Sequence, residues 1–147
     1  MKLSTRGRYG ARMMLDLAVH HGSGYLLLKD VAARMDVSEK YLGHLIPALK
    51  RVGLIKASRG AHGGYLLAME PAEISLGEVV RAVEGDISVV ECVTSPDVCH
   101  RAAVCVTRAK WVGLRLKLME FLDAFTLERM AEEHAEIVRS QPLMWYI

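Results

Sequence analysis

The sequence predicts a mainly α fold: a winged helix-turn-helix domain with a small β-hairpin wing, followed by a long C-terminal dimerisation helix. Three observations predict it. Helical stripes in the first third are separated by turn signals at helix-turn-helix spacing. A glycine-rich turn between two short apolar strands follows directly. A later helix then carries an apolar seam too large for a chain of 147 residues to bury alone. Because 52% of the residues are hydrophobic, a disordered chain is excluded, and the length suits one compact domain or a small domain with an appendage.

Over residues 5–21 the apolar positions Tyr9, Met13, Met14, Leu17 and Ala18 form a helical stripe, with Arg6, Arg8 and Arg12 off it. Gly22 and Gly24 stop that helix. An extended apolar piece, 25–28, leads to a two-turn helix over 29–35, and Asp36 and Val37 make the turn. Ser38 stands as N-cap, with Glu39 in the first turn, of a third helix. Tyr41, Leu42, Leu45, Ile46, Leu49 and Val52 mark its buried face and Gly53 ends it. Ser38, Lys40, Gly43, His44 and Lys50 are left to face outward. If this helix enters a major groove, Ser38, Lys40, Gly43 and His44 are the residues able to reach base edges. In a protein that binds no DNA they would be an ordinary solvated face.

Residues 54–58 then read as a strand, 59–64 as a glycine-rich turn and 65–68 as the returning strand. Three glycines with Arg59 at the tip make a wing. Gly60 and its neighbours let the backbone approach a phosphate closely, and Arg59 on a thin loop is suited to a narrow minor groove. Neither G-x-G-x-x-G nor a Walker lysine pattern is present, which sets aside a phosphate-binding enzyme loop.

Past the wing, residues 76–84 form a helix with Ser75 as N-cap, Glu78 completing a capping box and Gly85 as stop. A long helix begins at Val106 and runs to Phe125. Its apolar positions Trp111, Leu114, Leu118, Phe121, Leu122 and Phe125 recur at alternating steps of three and four, close to a coiled-coil seam. Pairing with a second copy across a two-fold axis would bury it, and packing back on its own domain would use its other side. Thr126 caps a last helix over 127–138, with Glu128, Glu132 and Glu133 at its start or outer face. The domain organisation expected is 1–85 for the winged domain, 86–105 for a cysteine-bearing loop and 106–139 for the dimerisation and C-terminal helices.

Charge divides the chain in the same way. Residues 1–67 carry eleven Lys and Arg against four Asp and Glu, a net of +7, while residues 68–147 carry eight against thirteen, a net of −5. A basic front half is the electrostatic footprint of a phosphate-facing surface, with double-stranded DNA as the expected partner. The only apolar stretch near the start is broken by Arg12 and Asp16, and no run approaches the length of a membrane span, so a cytoplasmic protein without a membrane partner is expected.

The three cysteines, Cys92, Cys99 and Cys105, all fall within the short polar segment after Gly85. In a reducing compartment an odd cysteine count reads as metal or redox chemistry, against the bland reading of three inert buried thiols. Spacers of six and five residues can wrap an iron–sulfur cluster, whereas structural zinc sites usually show a tight C-x-x-C pair, absent from this chain. Zinc stays a weak alternative. A metal-free thiol switch is another, because His100 and Arg101 beside Cys99 would lower a thiol pKa. Enzyme chemistry is disfavoured: His100 is too near Cys99 in sequence for a triad, and no paired-carboxylate, nucleophile-elbow or metalloprotease signature is found.

These residues together resemble the IscR-like family of bacterial winged-helix regulators, whose members sense iron–sulfur clusters, nitric oxide, iron or cysteine supply. The likeness runs through Lys2-Leu3-Ser4-Thr5-Arg6-Gly7-Arg8-Tyr9, Met14-Leu15-Asp16, Ser38 with Tyr41-Leu42, Gly53-Leu54, Arg59-Gly60 with Gly63-Gly64-Tyr65-Leu66, Gly77-Glu78-Val79, the three cysteines and Thr126-Leu127. It covers about residues 1–130. It implies a homodimeric transcription factor, a repressor, that binds palindromic half-sites through Lys2, Arg6, Arg8, Ser38, Lys40, Tyr41, His44, Arg59 and Gly60. It further implies an iron–sulfur cluster on Cys92, Cys99 and Cys105, with 2Fe-2S favoured over 4Fe-4S. A regulator of the thiol-switch or cysteine-metabolism kind is the alternative within the same family.

The chain departs from the family pattern at the positions that would complete the cluster's ligands and on the recognition helix. A histidine three residues after the last cysteine is replaced by Arg108, so the fourth cluster ligand is open among His100, Asp97, Glu91 and a group of the partner chain. The position at which nitric-oxide-sensing relatives offer a carboxylate from the partner's first helix holds Arg8. On the recognition helix, Gly43 and His44 stand where the family has a glutamate and a glutamine; glycine there costs roughly 1 kcal/mol of helix propensity relative to alanine.

Overall fold

A computed structural model describes residues 3–141; Lys2 and the tail residues Trp145 and Tyr146 lie outside the described residues. Helix α1, Thr5–Val19, starts where the Ser4 side chain accepts a hydrogen bond from the Arg6 amide and buries Met13, Met14, Leu17 and Ala18. Helix α2, Leu28–Met35, ends at Asp36, whose left-handed backbone (φ 53°) turns the chain into α3, Glu39–Arg51. Ser38 caps α3 as its spacing predicts, its hydroxyl accepting from the Tyr41 amide at 3.1 Å. Asp16 fastens α1 to α2 by a two-pronged pair with Arg34, at 2.8 and 2.6 Å.

One detail of α3 differs from the sequence reading. Val52 is 54% exposed, because α3 ends at Arg51 and Gly53 (φ 75°) swings the chain away before the helical period brings Val52 inward. Pro47 sits inside the helix and has no amide hydrogen to offer the carbonyl of Gly43.

Strands β1, Ile55–Ser58, and β2, Gly64–Leu67, pair antiparallel from Ile55 opposite Leu67 to Ser58 opposite Gly64. The extended piece predicted before α2 gains a role: Leu26 exchanges two 2.8 Å backbone hydrogen bonds with Tyr65, adding a third rung beside the wing. After a 3-10 turn, Pro71–Glu73, comes α4, Leu76–Glu84, with the Ser75–Glu78 capping box formed and Gly85 (φ 80°) ending the helix.

The segment between α4 and the long helix is more structured than a loop. It contains one helical turn, α5, Glu91–Thr94, and two 3-10 turns, Pro96–Val98 and Ala102–Val104. Helix α6, Val106–Asp123, follows, and α7, Leu127–Ser140, starts on a Thr126 cap that accepts from the Arg129 amide.

The chain comes back to its own beginning at α7. Leu127 donates its amide to the Ile74 carbonyl (2.9 Å), Leu76 donates to Phe125 (2.8 Å), and Leu127 is fully buried with Met13, Met14, Leu42, Leu45, Leu49 and Val79. By contrast α6 buries only Leu122, while Trp111, Leu114 and Phe121 are 39%, 45% and 61% exposed. Phe121 and Phe125 stack edge to face at 5.0 Å.

One end of α6 is held by polar contacts. Arg81 of α4 forms two hydrogen bonds with Asp123 (2.9 and 3.1 Å), and the Ser75 hydroxyl donates a third at 3.1 Å. Hydrogen bonding to Arg81 holds the Asp123 carboxyl below its ordinary range, against partial desolvation. A carboxylate depressed in the folded state stabilises it above the ordinary carboxylate range and ceases to do so as pH falls through the lowered value. Because Asp123 is partly exposed, Asp123→Asn is expected to cost at most about 1 kcal/mol at neutral pH. In chemical denaturation followed against pH, the gap between native and variant should close in acid.

Candidate nucleic-acid interface and cysteine segment

The predicted DNA-facing residues divide by environment. Arg6 and Arg8 are exposed on the first turns of α1, and Lys40 and His44 are exposed on α3. Ser38 is exposed but its hydroxyl is occupied by the cap. Tyr41 is turned inward: its ring meets Tyr9 edge to face at 5.4 Å, and its hydroxyl is buried with no hydrogen-bond partner among the described residues. The Arg12 guanidinium lies over the other tyrosine, 5.4 Å from the Tyr9 centroid. An aromatic pair thus locks the beginnings of α1 and α3 to each other, and with them the side chains they display.

A glycine at position 43 is not demanded by packing, since a Cβ there would meet nothing within 4 Å. The relevant neighbour is Pro47. A proline ring crowds the carbonyl four residues earlier, and glycine is the residue that yields most easily to such a tilt. That one-turn pairing could have been found in the sequence from the spacing alone.

In the wing, Arg59 and Gly60 are exposed at the turn, and Gly60 needs its positive φ of 98°. Gly63 and Gly64 are there for a different reason from the one the sequence suggested. A Cβ on Gly63 would lie 2.4 Å from the Ser58 carbonyl oxygen, and one on Gly64 would lie 2.2 Å from that of Leu26. Closure of the wing requires Gly63, and the pairing of the wing with the extended piece at Leu26 requires Gly64, before any phosphate approaches.

Cys92 lies on α5, Cys99 follows the first 3-10 turn, and Cys105 directly precedes α6. All three are free and half-buried. They supply thiol donors of the right chemistry for a soft metal centre, but they are not gathered. Among the described residues no group of three or more His, Cys, Asp or Glu is placed to hold a metal, so His100, Asp97 and Glu91 complete no site either. A preformed cage is therefore not what this arrangement fits.

Arg108, standing where the family pattern has a histidine, acts as a strut: its Nε donates to the Cys92 carbonyl at 2.8 Å. Two helical turns further on, Arg115 donates to the Ile87 carbonyl at 3.0 Å and pairs with Asp86. Both ends of the first half of the segment are thus tied to α6, a feature that sequence reasoning missed because two arginines on a helix look like solvated charges.

Cys105 is chemically distinct. The Thr107 hydroxyl, 3.2 Å from Sγ, pushes the thiol pKa below its ordinary value, with further help from the amides of Arg108 and Thr107 and the charge of Arg101. Thiolate character sets nucleophilicity. Thr107→Val should shift the pH dependence of Cys105 alkylation to higher pH and slow it at neutral pH by about fivefold, the worth of one modest hydrogen bond, as read by peptide mass spectrometry after timed alkylation.

The Rrf2 family, described as iron-dependent transcriptional regulators, matches residues 3–133. Protein rrf2 of Nitratidesulfovibrio vulgaris is 44% identical over 127 residues, covering 86% of this chain and 85% of that one. The regulator CymR of Bacillus subtilis is 41% identical over 131 residues, covering 89% and 90%, and its solved structure superposes with a TM-score of 0.74 over 90% of this chain and 98% of its own. The structure of IscR from T. potens gives 0.76 at 38% identity, covering 99% and 97%. The resemblance to IscR-like regulators is borne out, with rrf2 and CymR alongside it, and among the described residues no helix is long and apolar enough to cross a membrane. By fold, by sequence and by its exposed basic helix, the chain belongs to the Rrf2 family of winged-helix, DNA-binding transcriptional regulators, and it is not an enzyme.

Proposed function

We propose that the protein is a cytoplasmic, homodimeric regulator that binds palindromic half-sites and whose affinity follows the chemical state of Cys92, Cys99 and Cys105. The observation that carries this reading is the concentration of every cysteine between α4 and α6, with Cys105 in contact with the first turn of α6. Dimerisation is supported by the uncovered Trp111, Leu114 and Phe121 of α6. An interface of that kind sets the distance between two copies of α3, and half-sites one helical turn apart demand about 34–36 Å.

In this reading Lys40 and His44 read base edges, Ser38 holds the start of α3, and Tyr41 orients that helix from inside. Arg59 and Gly60 enter a minor groove, and Lys2, Arg6 and Arg8 meet phosphates. Residues 1–85 bind DNA, 86–105 sense, and within 106–139 the dimerisation helix α6 joins the two copies while the C-terminal helix returns to the core.

An iron–sulfur cluster, 2Fe-2S before 4Fe-4S, is the proposed occupant of the three thiols, supported by the donor type and by the likeness to an IscR. Gathering the thiols would require the segment to rearrange around the cluster. The second reading is a metal-free thiol switch, which the ungathered thiols and the acidified Cys105 favour.

Anaerobic purification with a visible spectrum and iron and sulfide assays separates the two. Visible absorption with bound iron and sulfide, lost in the triple Cys→Ala variant, is the expected result; a colourless, iron-free protein overturns the cluster and leaves the thiol switch. In an electrophoretic shift, Arg59→Ala should weaken binding by about tenfold, and undiminished, equally specific binding would count against the wing's role.

A further inference from the structure

The first turn of α1 has an electrostatic problem. The positive end of a helix dipole favours anions, yet α1 has no acidic residue in its first turn and displays Arg6 and Arg8 near that end. The missing carboxylate comes from elsewhere. Glu84, the last residue of α4, places one oxygen, Oε1, where it accepts from the Ser4 amide (3.0 Å), the Ser4 hydroxyl and the Gly7 amide (2.8 Å). The approach is so close that a Cβ on Gly7 would lie 2.5 Å from that oxygen, which accounts for a glycine in the middle of a helical turn.

The position of Glu84 along the chain gives this contact its interest. Gly85 follows, and the cysteine segment begins at once, with Asp86 and Ile87 held by Arg115 and Cys92 held by Arg108. Only Gly85 separates Glu84, whose carboxylate sits at the start of α1, from Asp86, the first tethered residue of the cysteine segment.

We propose that Glu84 is a positioning residue through which the cysteine segment acts on the DNA-facing first turn of α1. With the latch closed, Ser4 and Gly7 are held and Arg6 and Arg8 are set. A rearrangement of 86–105 that pulls on Gly85 withdraws the carboxylate and frees the turn. This rests on the DNA-binding and sensing reading above for its biological sense, but its test uses neither DNA nor iron.

The test is hydrogen exchange at the Gly7 amide, followed by nuclear magnetic resonance on the full chain, before and after alkylation of the cysteines with N-ethylmaleimide. Glu84→Ala should raise the exchange rate by about tenfold, the loss of one charge-assisted hydrogen bond. Glu84→Gln, which keeps an acceptor oxygen, should recover part of the protection and serves if the alanine variant folds poorly. A merely structural contact would stop there. The coupling predicts in addition that alkylation accelerates exchange at Gly7 in the native chain and adds nothing in Glu84→Ala. Unchanged exchange in the alkylated native chain, or an equal acceleration in both, overturns the proposal. Absence of iron together with a responsive Gly7 amide would instead remove the cluster and leave the latch standing.

Discussion

Burial of Leu42, Leu45 and Leu49 sets the roll of α3, and the roll of α3 decides what the molecule presents to a partner. Each of these side chains is essentially inaccessible, and burying a leucine is worth roughly 1.5–3 kcal/mol. A rotation of the helix by one residue would bring Lys40 or His44 toward Met13, Met14 and Leu127 and expose the leucines. The core thus holds the basic face outward more firmly than any surface contact could. The Tyr9–Tyr41 pair adds direction at the helix start, and the price is the orphaned Tyr41 hydroxyl.

The same core explains why α7 belongs with the N-terminal helices although it is the last element. Leu127 fills the space between α1 and the residues before α4, and its amide completes the Ile74 carbonyl. Because α1 and α7 meet in one core, the chain leaves that core after α4, and α6 carries it back by Asp123. The Arg81–Asp123 pair marks the point of return.

Much of this was legible in the sequence, and the exceptions share a cause. Capping residues at Ser38, Ser75 and Thr126 were readable because a cap is a local transaction between a side chain and an amide three residues on. Helical stripes were readable wherever the helix persisted, and Val52 failed because the period stopped with the helix. The purposes of Gly63, Gly64 and Gly7 were not readable, since each is dictated by an atom that a fold brings in from elsewhere: Ser58, Leu26 or Glu84. The thiols illustrate the other limit. Their number and spacing point to soft-metal or redox chemistry, but whether three donors converge depends on the path of the chain between them, and in this structure two arginine tethers set that path.

Those tethers bear on how a small chemical change could become a change in binding. Helix α6 contributes only Leu122 to the buried set, so polar contacts at Asp123, Arg115 and Arg108 hold much of it in register with the rest of the chain. Partly exposed ion pairs are worth about 0–1 kcal/mol each. The core helices, by contrast, are fixed by burial worth several times that per side chain. Coupling between two binding sites typically amounts to about 1–3 kcal/mol, a range able to re-set the polar contacts of α6 and of the Glu84 carboxylate while leaving α3 seated on its leucines. In the proposed reading, a regulator built this way changes the arrangement of its DNA-facing parts without loosening the fold that carries them.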